Sequence, residues 1–98
     1  MKVRHRDAAF QRAEQDASFT GGMSQQLASA FRRRMQVIRA AIDERDLAAI
    51  RGNRFEKLKG DRSHQYSIRI NNQYRLILEF EGVGQGKVLI VVGVEDYH

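Results

Sequence analysis

From Tyr66 onward apolar and polar residues alternate with a period of two, and no other feature of the chain constrains its fold as strongly. Tyr66, Ile68 and Ile70 are separated by Ser67 and Arg69, and Tyr74, Leu76, Leu78 and Phe80 by Arg75, Ile77 and Glu79. Only an extended strand places every second side chain on one face, so the pattern predicts two strands, each with one buried face. Asn71-Asn72 between them suits a tight turn and makes the pair a β-hairpin. A second, flexible turn is expected over Glu81-Gly82-Val83-Gly84-Gln85-Gly86. Lys87 to Glu95 then supplies a third strand, whose unbroken apolar run from Val88 to Val94 implies a central or doubly covered position.

Upstream the period is helical. Leu27, Phe31, Met35, Ile38 and Ile42 recur every three or four residues as one stripe of an amphipathic helix of about five turns, with Ser24 as its N-cap. Ala8 to Asp16 reads as a shorter helix, preceded by a short strand over Val3 to Asp7. Asp43-Glu44-Arg45-Asp46 interrupts the long helix, Leu47 to Ile50 adds a helical turn, and Gly52-Asn53 is expected to end it with positive φ. The order of strand, helices and a three-stranded antiparallel meander predicts an α+β fold, a small antiparallel sheet with helices packed on one face. Ninety-eight residues, 42% hydrophobic and without cysteine, predict one domain spanning 1–98 that has no disulfides and no thiol chemistry. No apolar run follows the charges of Met1 to Arg6, and none approaches the roughly 20 residues that span a bilayer. The expectation is a cytoplasmic protein with no membrane partner.

The charge is uneven. Residues 51–75 carry seven Lys and Arg against two Asp and Glu, whereas residues 76–98 carry one against four. The net charge of +5 therefore rests on a 25-residue basic block. Such a block attracts a polyanion over a Debye length of about 10 Å at 0.1 M salt, and nucleic acid is the leading partner class. A merely solvated basic face would have the same composition. The same two readings apply to Arg32, Arg33, Arg34 and Arg39 of the long helix: solvated face or phosphate contact.

Several catalytic motifs are excluded. Gly82-x-Gly84-x-Gly86 precedes a strand, whereas a phosphate loop needs a helix N-terminus. His5, His64 and His98 lack metal-ligand spacing, and no Ser/His/Asp arrangement is present. What remains is a basic loop, Lys57-Leu58-Lys59-Gly60-Asp61-Arg62, with Lys59 placed for a phosphate, Arg62 on the far side, and Asp61 expected to buttress the turn through the backbone. Arg75 interrupts an apolar strand and requires an anion, either a ligand phosphate or Glu95 or Asp96 as a salt-bridge partner. Beyond the last strand, Asp96-Tyr97-His98 brings a carboxylate, a phenol and an imidazole to one edge of the sheet.

Two blocks and the final residues together carry a resemblance. Gly52-Asn53-Arg54-Phe55-Glu56-Lys57-Leu58-Lys59-Gly60-Asp61-Arg62, Gln65-Tyr66-Ser67-Ile68-Arg69-Ile70-Asn71-Asn72-Gln73-Tyr74-Arg75, and Glu95-Asp96-Tyr97-His98 resemble the HigB toxins of the RelE superfamily. The resemblance covers most of residues 52–98, is compatible over 23–50 and is loose over 1–22. It implies a RelE-like microbial RNase fold and a ribosome-dependent endonuclease acting on mRNA in the A site of the 30S subunit, in contact with 16S rRNA. It also implies a helix-turn-helix antitoxin of the HigA type as silencing partner.

The implied reaction needs neither metal nor cofactor. The RNA 2′-hydroxyl attacks, a dianionic phosphorane is stabilised, and the departing 5′-oxygen takes a proton. On this resemblance Arg75 clamps the phosphate, Lys59 adds a point charge or shares in proton transfer, and His98 is the general acid. Asp96 orients the site or favours protonated His98, and Tyr97 donates a proton or stacks on a base. Lys57, Arg62, Arg54 and Arg69 are the RNA-binding candidates. The resemblance departs at Glu56, where family members often have a histidine three residues before the loop lysine. The base is then a partly buried Glu56, or Lys59, or no strong protein base at all, with RNA and ribosome supplying the alignment. A non-catalytic RNA-binding or protein-interaction module is the competing reading of the same residues.

Overall fold

A computed structural model of the chain describes residues 1–96. Strand β1 (Lys2–His5) is followed by helices α1 (Ala8–Gln15), α2 (Gln25–Ala40) and α3 (Glu44–Ala49). Then come β2 (Glu56–Lys57), β3 (Tyr66–Arg69), β4 (Tyr74–Glu81) and β5 (Val88–Asp96). The five strands form one sheet in the order β1-β5-β4-β3-β2. The predicted meander is present as β3, β4 and β5, all antiparallel. The structure adds β1 parallel to β5 at one edge and the two-residue β2 antiparallel to β3 at the other. A two-residue strand is too short to carry a period, so β2 read as loop.

Each helix begins where a side chain accepts from an otherwise unpaired backbone N–H. Asp7 accepts from Ala9 at 2.8 Å, Ser24 from Leu27 at 3.1 Å and Asp43 from Arg45 at 2.9 Å. The apolar stripe of α2 supplies Phe31, Met35 and Ile38, all fully buried with Ala13 of α1 and Leu47 of α3 against Ile68, Leu76, Leu78, Leu89 and Val91 of the sheet. The core thus lies between the helices and one sheet face.

Two expectations fail at the helix ends. Ile42, the last member of the stripe, is 84% exposed, and Ala41 is buried in its place. The chain leaves α2 at Ala41, which is extended, and the Ile42 amide donates to Asp46 Oδ2 at 2.8 Å, so Ile42 belongs to the link into α3. The Asp43 to Asp46 segment, read as an interruption, is therefore the capped start of α3. Nor do Gly52 and Asn53 take positive φ. That conformation falls on Arg54, at φ 46°, because the buried Asn53 is held by its Nδ2 donating to the Leu47 carbonyl at 3.1 Å.

β5 explains its unbroken apolar run through a register shift. Ile77 of β4 lies opposite Gly93 but Leu78 lies opposite Val91, so Val92 is an extra residue, a β-bulge. On one side of it Leu89 and Val91 face the helices; beyond it the phase inverts, so Val94 faces them while Glu95 faces the opposite, open side. The loop between β2 and β3 is tied to that open side. A 3-10 turn over Gly60–Arg62 starts at Gly60, whose φ of +69° glycine adopts without strain. Gln65 Nε2 then donates to Glu79 Oε2 at 2.9 Å, and Arg6 grips the same carboxylate at 2.7 and 3.3 Å. Among the described residues no helix is long and apolar enough to cross a membrane.

Two predictions follow from this packing. Phe31→Ala is expected to destabilise the fold by about 3–5 kcal/mol and Ile42→Ala by less than about 0.5 kcal/mol, both read by denaturant unfolding. The hydrogen bond from Arg6, followed by that from Gln65, pulls the Glu79 carboxyl from 4.5 down to about 2. A depressed folded-state value stabilises above the unfolded value, and that contribution fades as pH falls from about 4.5 toward 2. Wild type is therefore expected to lose more stability than Glu79→Gln on acidification through this window, and equal losses would contradict the assignment.

Candidate active site on the open sheet face

In an antiparallel pair, residues directly opposite each other share a face. Arg69 of β3 lies opposite Arg75 of β4, and Arg75 lies opposite Glu95 of β5. The neighbouring row is Glu56, Ser67 and Ile77, about 6.6 to 6.8 Å further along the strands. Both rows stand on the side away from the helices. Glu56, Arg69, Arg75 and Glu95, scattered over forty positions of sequence, are thereby brought to one surface.

Glu95 organises this surface. Arg62, delivered by the 3-10 turn, donates through Nη1 to Glu95 Oε1 at 3.1 Å and through Nη2 to Oε2 at 2.7 Å. Arg75 Nη2 stands 3.6 Å from the same Oε1, so one carboxylate lies between two guanidinium groups. The Arg62 hydrogen bond, opposed by partial burial and assisted by the charge of Arg75, holds the Glu95 carboxyl below the usual glutamate range. Arg62 Nε also donates to Gln65 Oε1 at 2.9 Å, and Gln65 reaches Glu79. A polar chain therefore runs from Arg75 through Glu95, Arg62, Gln65 and Glu79 to Arg6. Fastened at Glu95 and Glu79, the chain lies beside Ser67 and Ile77, which are both buried on this face.

The salt bridge expected for Arg75 is thus made to Glu95. The carboxylate is shared, and Arg62 takes the shorter contacts, so Glu95 holds two guanidinium groups together on this face. Arg62, expected on the far side of the loop, is instead the residue that reaches inward. Lys59 stands just before the turn, its side chain exposed and without an ion pair among the described residues, at the mouth of the same loop. Lys57 and Arg54 are likewise exposed cations at the rim. Arg69 is fixed by Nε donating to the Asn71 carbonyl at 3.2 Å and by a further bond to Asn72.

Glu56 is exposed on β2, so the partial burial expected of it is absent, and it makes no ion pair with Lys57 among the described residues. Adjacent residues of a strand point to opposite faces, which separates the two side chains. Asp61 does not buttress the turn; the Ser63 amide closes it on the Gly60 carbonyl at 3.1 Å, and the side chain of Arg62 ties it to Glu95. Asp96 lies opposite Tyr74, one residue out of phase with Glu95, and its Oδ2 accepts from Gln73 Nε2 at 3.1 Å. Tyr97 and His98, expected as stacking surface and general acid, lie outside the described residues.

Sequence reasoning named Glu95 only as one of two possible partners for Arg75 and did not give it a role in the site. Gln65 and Glu79 were missed altogether. The alternation that places Glu79 on the face of Arg75 was readable. The bulge that brings Glu95 there was not, because an unbroken apolar run hides a change of phase.

Comparisons with known proteins agree with this fold. The chain is 44% identical over 52 residues to Toxin HigB-1 of Vibrio cholerae serotype O1, a match covering 53% of the chain. That match spans about half of the curated relative, 55% of its length. In three dimensions the YoeB/ParE toxin from Agrobacterium tumefaciens superposes with a TM-score of 0.62 over 100% of both chains, at 18% identity, a likeness of fold. Residues 4–98 match the family model of HigB-like toxins, and the chain belongs to this family, the RelE-like HigB toxins of type II toxin-antitoxin systems.

Proposed function

We propose that this toxin is a ribosome-dependent mRNA endonuclease that cleaves the message in the A site by attack of an RNA 2′-hydroxyl, without a metal, and so stops translation. The observation that carries the reading is Arg75, fixed beside Glu95 on the open sheet face and flanked by Arg69 and Arg62. A planar guanidinium held in place matches two phosphate oxygens at no further ordering cost, which is what a developing dianion requires. Arg75 is the phosphate clamp in this scheme. Lys59, exposed at the loop mouth, adds a mobile charge or relays a proton. His98 is the general acid, with Tyr97 as stacking surface and Asp96 as orienting carboxylate.

The exposure of Glu56 supports a secondary role at most. Alignment of the 2′-hydroxyl by RNA and ribosome then supplies most of the nucleophile's activation. Lys57, Arg54, Arg62 and Arg69 are the further RNA contacts in this scheme. The silencing partner is a helix-turn-helix antitoxin of the HigA type, and the working compartment is the cytoplasm, where ribosomes and messages meet.

The test is induction of wild type, Arg75→Ala and His98→Ala in cells without antitoxin, with mapping of mRNA 5′ ends and single-turnover cleavage on programmed ribosomes. Wild type is expected to arrest growth and create new ends within translated frames. Arg75→Ala is expected to slow cleavage by about 10²–10³-fold, the loss typical of a transition-state charge donor. Growth without new ends under wild-type induction would sink the reading. His98→Ala with cleavage intact would remove His98 as the general acid, and wild type that binds ribosomes without cleaving the message would favour the non-catalytic module.

A further inference from the structure

Two adjacent residues at the end of β1, His5 and Arg6, point to opposite sides of the sheet, and each is held there by a carboxylate. On the helix side the buried His5 ring stands with Nε2 2.7 Å from Glu14 Oε1 of α1. Arg39 of α2 grips the same carboxylate, Nε donating to Oε2 and Nη2 to Oε1 at 2.9 Å. Burial opposes the Glu14 anion, but the hydrogen bonds from Arg39 and His5 outweigh it and hold the carboxyl below the usual glutamate range. An ionised carboxylate only accepts, so His5 Nε2 is the donor. β1 has four residues and lies at the sheet edge, and this contact fastens its end to both α1 and α2.

On the open side stands the half-exposed Arg6. Its amide donates to the Val91 carbonyl at 2.9 Å, which carries the parallel pairing of β1 up to the bulge at Val92. Its guanidinium forks onto Glu79, Nη2 to Oε1 at 2.7 Å and Nη1 to Oε2 at 3.3 Å, and a two-point grip sets the plane of the carboxylate. Gln65 Nε2 uses the Oε2 so presented, at 2.9 Å, and His64 Nε2 stands 3.7 Å from the same oxygen. Backbone bonds close the loop at its base, from the Leu58 amide to the Gln65 carbonyl at 2.9 Å and from the Gln65 amide to the Arg62 carbonyl at 2.8 Å. Side chains attach it to the open face, Arg62 at Glu95 and Gln65 at Glu79. One attachment would leave the loop free to pivot, whereas two fix it. A Glu79 released by Arg6 can turn, and the slack passes through Gln65 to Arg62 and to the carboxylate that Arg62 shares with Arg75.

We propose that Arg6, anchored from behind by His5, is a positioning residue for the proposed cleavage: it orients Glu79 so that the loop carrying Arg62 is fixed against the face of Arg75. The proposal rests on the reading of the open face as an RNA-cleaving surface. Arg6 touches no reacting atom in this scheme and acts through Glu79, Gln65 and Arg62. It gives the first strand a part in the reaction, in the stretch where the resemblance to the family is loose.

The test is single-turnover cleavage of mRNA on programmed ribosomes over a series of toxin concentrations, which separates the maximal rate from the half-saturating concentration. The variants are Arg6→Ala, Arg6→Lys, Gln65→Ala, Arg75→Ala and the combination of Arg6→Ala with Arg75→Ala, with thermal melting as a check on folding. Arg6→Ala and Gln65→Ala break the chain at different links. Each is expected to lower the maximal rate about tenfold, the scale of a small misplacement at the reacting centre, with the half-saturating concentration within about twofold of wild type. Arg6→Lys, a point charge in place of a fork, should restore part of the rate. Once Arg75 is gone, Arg6→Ala should slow cleavage no further. Gln65→Ala provides the reading should Arg6→Ala melt below the assay temperature. A folded Arg6→Ala or Gln65→Ala variant as fast as wild type, or an Arg6→Ala loss that simply adds to that of Arg75→Ala, would overturn the positioning role and leave the proposed function standing. A loss confined to the half-saturating concentration would make Arg6 an RNA contact and also overturn the proposal. Absence of cleavage by wild type would overturn the function and the positioning role with it.

Discussion

The extra residue at Val92 sets the geometry on which the candidate site depends. Before it, β5 feeds Leu89 and Val91 into the core; after it, the strand has turned over, and Glu95 emerges on the open face opposite Arg75. Without the bulge, the period of two would send Glu95 toward the helices and leave Arg75 and Arg62 without the carboxylate they share. A single backbone irregularity thus reconciles two demands on one strand: an apolar stretch for the core and a charged end for the surface.

What Glu95 does is electrostatic positioning more than neutralisation. Its short bonds go to Arg62, and Arg75 stands slightly further off at 3.6 Å, so the carboxylate helps to fix where the Arg75 guanidinium sits. On the same face Arg69 lies directly opposite Arg75, Lys59 stands exposed at the loop mouth, and Glu56 is an exposed carboxylate one row away in the sheet register. The field favours a polyanion while the sheet supplies rigidity, a combination that binds a phosphate chain more readily than a small neutral ligand. The polar chain onward through Gln65 and Glu79 to Arg6 ties this surface to β1, so the first residues of the chain help to hold the loop that carries Arg62.

Legibility in the sequence followed the length of each periodic pattern. The alternation of Tyr66 to Ile70 and Tyr74 to Phe80, the stripe from Leu27 to Ile38 and the cap at Ser24 all correspond to the structure, because each pattern repeats often enough to identify its period. Ile42 broke away because helix ends are set by local hydrogen bonds, here Asp46 to the Ile42 amide, which hydrophobic spacing does not report. β2 had too few residues to show a period, and the left-handed residue is Arg54 rather than Gly52 because burial of Asn53 decided the turn. Arg75 was legible as a misfit in an apolar strand. Its partner was visible only as one of two choices, and the role of Arg62 was not visible at all, since contacts between residues 33 apart depend on register and bulge rather than on composition.

The central claim is that Glu95 acts through Arg75, and a double-mutant cycle tests it most directly. Single-turnover mRNA cleavage on programmed ribosomes would be measured for wild type, Glu95→Gln, Arg75→Ala and the combination of both. Glu95→Gln is expected to slow cleavage in the wild-type background and to have little further effect once Arg75 is gone, the non-additivity of residues in contact. Losses that simply add, or a Glu95→Gln variant as active as wild type, would contradict the claim.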